Sequence, residues 1–170
     1  MVKTLIGARC VLRPATMEDV AALAAIRATP QVYARWRGGQ DLAAAVARDL
    51  GDADVSTLVI VHADRTAGAI QWGSEEEPDY RHANIDIYLD PAVHGHGIGT
   101  DAVRTLARHL IDDHGYHRIV IDPAADNTAA IRCYTKAGFH PVGIMRQYER
   151  GADGTWHDSL LMDLLAGELT

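Results

Sequence analysis

The sequence predicts an α/β (α+β) protein with a mixed, mostly antiparallel central sheet, helices on its flanks and a β-α-β-α centre. Three observations predict it. Strand-type patterning recurs at 9–14, 56–62, 68–73, 84–89, 117–122, 139–149 and 155–165. One 3.6-residue apolar stripe runs through 98–111. The elements follow the order β-α-α-β-β-β-α-β-α-β-β, and the strand–helix–strand unit over 84–122 calls for two parallel strands. No repeat or low-complexity linker interrupts the chain, so residues 1–170 read as one domain.

Each element has a local cause. "RCVLRP" (9–14) alternates and stops at Pro14, which suits a short first strand. Thr16, with Glu18 and Asp19 behind it, opens a helix to about Arg27, its acids where the macrodipole favours them. Residues 28–40, "ATPQVYARWRGGQ", read as a loop with aromatics, and Asp41 to Leu50 as a second short helix. Ser56–His62 and Gly68–Gly73 form strands joined by a turn at Ala63–Arg65. After the loop "SEEEPDYRH" comes the strand Asn84–Leu89, which Pro91 ends. On it Ile85, Ile87 and Leu89 point one way, Asp86, Tyr88 and Asp90 the other. Ile98, Ala102, Val103, Leu106, Ala107, Leu110 and Ile111 form the apolar stripe. "HRIVID" (117–122) is a strand and "DNTAAIRCYTKAG" (126–138) a helix closed by Gly138. "FHPVGIMRQYE" and "TWHDSLLMDLL" form a final antiparallel pair.

Composition excludes several classes. A net charge of −7 argues against a nucleic-acid partner and suits a cationic one. No apolar run reaches the ~20 residues of a membrane span, and "MVKTLIGARC" lacks a secretory h-region. Cys10 and Cys133 form no disulfide framework and read as reduced thiols of a cytoplasmic protein. The nine histidines include no HExxH or Cys/His set with metal spacing, so no metal is expected.

The stretch "VHGHGIGT" (93–100) places Gly95, Gly97 and Gly99 at a helix entrance. It matches neither the dinucleotide fingerprint, since residue 100 is Thr, nor the P-loop. Two readings remain: a turn that only routes the chain, or open amides and a helix dipole awaiting a diphosphate. In "DNTAAIRCYTKAGF", Asp126 and Asn127 offer caps, and Asn127 and Tyr134, seven apart, share a helix face. Tyr134 is either a proton donor to a leaving thiolate or a half-buried tyrosine with an ordinary hydrogen bond.

Together the two motifs resemble the GCN5-related N-acetyltransferase (GNAT) superfamily, over about residues 8–165. That family has a Gln/Arg-x-x-Gly-x-Gly/Ala loop for the coenzyme A pyrophosphate and a downstream Asn…Tyr helix ending in Gly-Phe. Here the loop reads His94-Gly95-His96-Gly97-Ile98-Gly99, with His94 in place of Gln or Arg, and "AIRCYTKAGF" is intact. The resemblance implies the GNAT fold and acetyl-CoA as co-substrate, held by Leu89, His94, Gly95, His96, Gly97, Ile98, Gly99, Thr100 and Asn127.

A narrower likeness, in "NID", "IDP" and "WRGG", points to aminoglycoside 6′-N-acetyltransferases. It implies Asp86 as the catalytic carboxylate, Asp122 as a holder of substrate amines and Trp36 as a residue bordering the sugar. Glu75, Glu76, Glu77 and Asp79 are either an acidic rim that attracts a polycation, with Glu75 as a substrate residue, or a solvated charge run. The expected mechanism is direct transfer. Asp86 takes the amine proton, main-chain N–H groups around Tyr88–Leu89 stabilise the oxyanion, and Tyr134 protonates the coenzyme A sulfur. Cys133 as acyl carrier is the rival chemistry; without an evident base it reads as a packed thiol. Acetylation of protein N-termini or lysines, suggested by "LRPATMEDV", acylation of a polyamine or siderophore lysine, and a non-catalytic acyl-CoA-binding module remain as alternatives. Monomer and homodimer both stay open.

Overall fold

The computed structural model describes residues 3–170. Met1 and Val2, the start of the stretch read for a secretory segment, lie outside the described residues. The strands are β1 (Leu5–Ile6), β2 (Val11–Pro14), β3 (Ser56–His62), β4 (Arg65–Glu75), β5 (His82–Leu89), β6 (Arg118–Ile121), β7 (His140–Arg150) and β8 (Trp156–Leu165). They form one eight-stranded sheet in the order β1-β2-β3-β4-β5-β6-β8-β7. Every pairing is antiparallel except β5 with β6, the expected parallel pair.

The helices are α1 (Val20–Arg27), α2 (Pro30–Tyr33), α3 (Leu42–Gly51), α4 (Ile98–Asp112) and α5 (Thr128–Ala137). They cover opposite faces of the sheet. Leu23, Ile26, Val32 and Val46 from α1, α2 and α3 pack with Val59, Ala69 and Tyr88. The stripe of α4 and the inner face of α5 bury Ile98, Leu106, Leu110 and Tyr134 against Leu12, Ile60, Ile85 and Ile119. The alternation of β5 follows directly: Ile85 faces α4 and Tyr88 faces α1, so a two-sided sheet buries both.

Four local expectations need correction. A two-residue strand, β1, precedes the predicted first strand and pairs with it. The helix drawn from Thr16 begins as a 3₁₀ turn, Met17–Asp19, closed by a Thr16–Asp19 capping box, and turns α-helical at Val20. The segment 28–40 contains the one-turn helix α2, with Pro30 in its first turn where the missing N–H costs nothing. The strands β4 and β5 run longer than their apolar cores, because Glu75 still pairs with His82. Among the described residues, no helix is long and apolar enough to cross a membrane.

Candidate active site

The strands β5 and β6 pair only at Ala83–Ile119 and Asn84–Val120. Beyond that point they part, and β5 continues to Leu89 beside a gap. The N–H of Asp90 bonds to the carbonyl of Ala67, so the even-numbered main-chain groups of β5 face β4. By alternation the groups of Ile85, Ile87 and Leu89 face the gap. The candidate oxyanion donors are therefore the N–H groups of Ile87 and Leu89. That of Tyr88 points the other way.

Two clefts open from this gap. The first, about 410 Å³, is lined by Leu89, His94, Gly95, Gly97, Ile98, Gly99, Thr100, Asn127 and Tyr134, and also by Arg132, Cys133 and Lys136 of α5. Asp41 caps α3 and Asn127 caps α5, but no side chain caps α4. The first amides of α4 thus remain open, at the positive end of a 15-residue helix. Gly97, at the N-cap, has φ +76°, and Gly95 has φ +80° with nothing within 4 Å of where a Cβ would stand. Both fit a backbone that an anion approaches closely.

Gly99 has another task. A Cβ there would meet Leu89 Cδ1 at 3.0 Å and Cys133 Sγ at 3.2 Å, so it lets α4 pack closely on β5 and α5. The His94 side chain turns back, donating from Nε2 to the Leu89 carbonyl at 3.1 Å, and His96 does not line the cleft. Arg9 is a cation the sequence did not flag: a Cβ on Gly97 would lie 3.4 Å from its Nε. Its backbone is pinned because the Asp101 carboxylate accepts the N–H groups of Ala8, Arg9 and Cys10 at 3.0, 2.8 and 3.1 Å.

The second cleft, about 940 Å³, is lined by Trp36, Asp86, Ile87, Asp122, Asn127, Tyr134, Tyr148 and Glu149, with Arg35 and Arg37 at its side. Trp36, Ile87, Asn127 and Tyr134 line both clefts, so the two meet there. Asp86 lies on the floor, open to water in the cleft yet surrounded by protein. Burial, then the charges of Asp122 and Glu149, push its carboxyl up to about 6. Burial also raises Asp122, opposed by a hydrogen bond from Tyr148. Burial foremost raises the Tyr134 hydroxyl, keeping it protonated as a donor must be. The Cys133 thiol is likewise raised by burial and contacts Thr100 Oγ1 at 3.4 Å, the environment of a packed thiol.

Tyr148 and Glu149 were missed by sequence reasoning. The pairing of β7 with β8 slips between Met145 and Glu149, where Gln147 takes φ +49° and donates its N–H to Asp158. This bulge turns the strand so that Tyr148 and Glu149 reach the cleft. Glu75 does not reach it: it pairs with His82 at the opposite end of β5. Nearby Glu76 accepts from Arg81 and Tyr116, and a Ser74 hydrogen bond foremost holds its carboxyl near 2, so that acid is a structural anchor. Among the described residues, no group of three or more His, Cys, Asp or Glu is arranged to hold a metal ion.

The profile of the family described as "Acetyltransferase (GNAT) domain" matches residues 9–140. An aminoglycoside N(6′)-acetyltransferase type 1 of Klebsiella pneumoniae is 42% identical over 73 residues, 42% of this chain and 35% of that protein. The match thus spans about a third of that relative's length. Mycobacterium smegmatis RimJ, solved with CoA-disulfide, superposes with a TM-score of 0.84 at 25% identity over 98% of this chain and 88% of the other. AAC(6′)-Ib in complex with paromomycin and acetyl-CoA superposes with a TM-score of 0.73 at 27% identity, covering 92% and 94%.

Proposed function

Because this chain belongs to the GNAT acetyltransferase family, we propose that it acetylates a primary amine of a cationic small molecule, the 6′-amine of an aminoglycoside, by direct transfer with both substrates bound. Acetyl-CoA supplies the activated acetyl thioester. The observation that carries the reading is the junction of two clefts at Ile87 and Tyr134, one floored by carboxylates and one walled by open amides.

The chain's own groups divide the work. The α4 amides and the turn at Gly95 and Gly97 hold the pyrophosphate, and Arg9 adds a positive charge beside it. The edge of β5 offers Ile87 and Leu89 N–H groups to the thioester oxygen. Asp122 and Glu149 draw the ammonium groups in, and Trp36 borders the sugar. An ammonium must lose a proton before it attacks, and Asp86, with a carboxyl near 6, is ionised at neutral pH and accepts it directly or through water. Tyr134 returns a proton to the departing sulfur.

The 42% identity with an aminoglycoside enzyme, over part of the chain, supports the acceptor class. A thiol-release assay with acetyl-CoA over kanamycin-type aminoglycosides, spermidine and N-terminal peptides tests it. Turnover of the aminoglycoside is expected, and turnover of peptides alone would overturn the assignment.

A further inference from the structure

We propose that Arg35 and Arg37 form a latch on the acceptor cleft, opened when an acceptor's ammonium groups replace the two guanidiniums on Asp126 and Glu149. The inference rests on the reading of this cleft as the seat of a cationic amine. It deepens that reading by naming what selects an acceptor with several charges over one with a single charge.

The two arginines flank Trp36 and reach to carboxylates on different elements. Arg35 Nη1 lies 2.7 Å from Asp126 Oδ1, at the start of α5, and Arg37 Nη2 lies 3.1 Å from Glu149 Oε1, on β7. The loop that carries them is built in from below. The ring of Trp36 packs edge-on against Tyr88, with centroids 4.8 Å apart. The Arg37 carbonyl accepts from Arg27 Nη2 at 2.6 Å, and Arg27, almost wholly buried, is held by Asp49 at 2.7 Å. The stem is therefore rigid, and only the guanidinium tips, which reach water, are free to exchange.

Exposed ion pairs of this kind hold weakly in water, so a competing ammonium displaces them readily. Glu149 has a second role. Its charge also bears on Asp86 and Asp122, and Arg37 offsets it while the cleft lacks a cation. A singly charged amine can sit between Asp86 and Asp122 and leave the latch shut. A second or third ammonium on the same molecule competes with an arginine for the carboxylate of Glu149 or Asp126, each of which the arginine holds by one oxygen. Arg35 and Arg37 are thus specificity-determining residues, acting as counter-ions that a polyvalent acceptor exchanges.

The test compares Arg37→Gln, Arg35→Gln and Glu149→Gln with the natural chain, using kanamycin and spermidine as polycations and glucosamine as a single-ammonium acceptor. Steady-state thiol release gives KM and kcat, and calorimetry with coenzyme A gives polycation binding without turnover. Exchange predicts that Arg37→Gln and Glu149→Gln, the two halves of one ion pair, move the polycation KM in opposite directions. Arg37→Gln lowers it by about threefold or more, and Glu149→Gln raises it by about fivefold or more. The ratio of polycation to glucosamine KM falls in Arg35→Gln and Arg37→Gln. A pair that merely braces the loop would raise KM from either side, and that result, or no change in either variant, overturns the latch while leaving the acceptor class standing. Failure of every variant to bind or acetylate any polycation, with peptides still turned over, overturns the acceptor class and the latch with it.

Discussion

Asp86 on β5 and Asp122, the residue that follows β6, stand just beyond the point where the two parallel strands part, and both line the same cleft. Burial foremost, and then the negative charge of Asp122, raises the Asp86 carboxyl to about 6. If Asp86 is the base proposed above, it must be ionised to work, and kcat/KM is expected to rise with pH through an acid limb centred near 6. Asp122→Asn removes the like charge and moves that limb to lower pH, while weakening acceptor binding. A pH–rate profile of both proteins checks the shift; a limb that stays in place separates Asp122 from the base.

The same strain makes Asp86 a cost to the fold. Its carboxyl is raised in the folded state, so ionising it disfavours folding, fully above pH 6 and progressively less as pH falls to the unfolded value of 3.8. Asp86→Asn is expected to raise Tm at pH 7 and to lose that gain near pH 4, while kcat falls by about 10²–10⁴-fold. Thermal melts at the two pH values test the sign. A lower Tm at pH 7 would mean that Asp86 supports the fold.

Tyr134→Phe removes only a hydroxyl from a buried ring that lines both clefts. If that hydroxyl protonates the leaving sulfur, kcat falls by about 10²-fold or more, with coenzyme A affinity little changed. Loss of affinity without loss of kcat would make Tyr134 a packing residue.

The glycines of the 93–100 loop divide by position. Gly97→Ala strains a residue at φ +76° and lays a methyl group against the Arg9 side chain, so coenzyme A affinity should drop about tenfold. Gly99→Val instead forces atoms onto Leu89 and Cys133 and should cost about 1–3 kcal/mol of stability. Calorimetry and melting curves separate the two effects.

Patterns confined to one element were legible. The α4 stripe, the β5 alternation, the Asn127 cap and the Gly138 terminus, at φ +109°, all stand where the residues imply. What escaped depends on partners distant in sequence. Arg9 reaches Gly97 only because Asp101 clamps the turn before β2. Glu149 enters the cleft only because a bulge turns β7, and β8 lies between β6 and β7, an order no local signal carries. Glu75 failed as a site residue for the same reason: acidity is local, but which end of β5 faces the cleft is a matter of topology.

Acetylation of kanamycin by the natural chain, with acetyl-CoA as donor and the product located by NMR, tests the central claim most directly. The account predicts an acetyl group on the 6′-amine and its loss in Asp86→Asn. Modification of N-terminal peptides with kanamycin untouched, or undiminished turnover in Asp86→Asn, would contradict it.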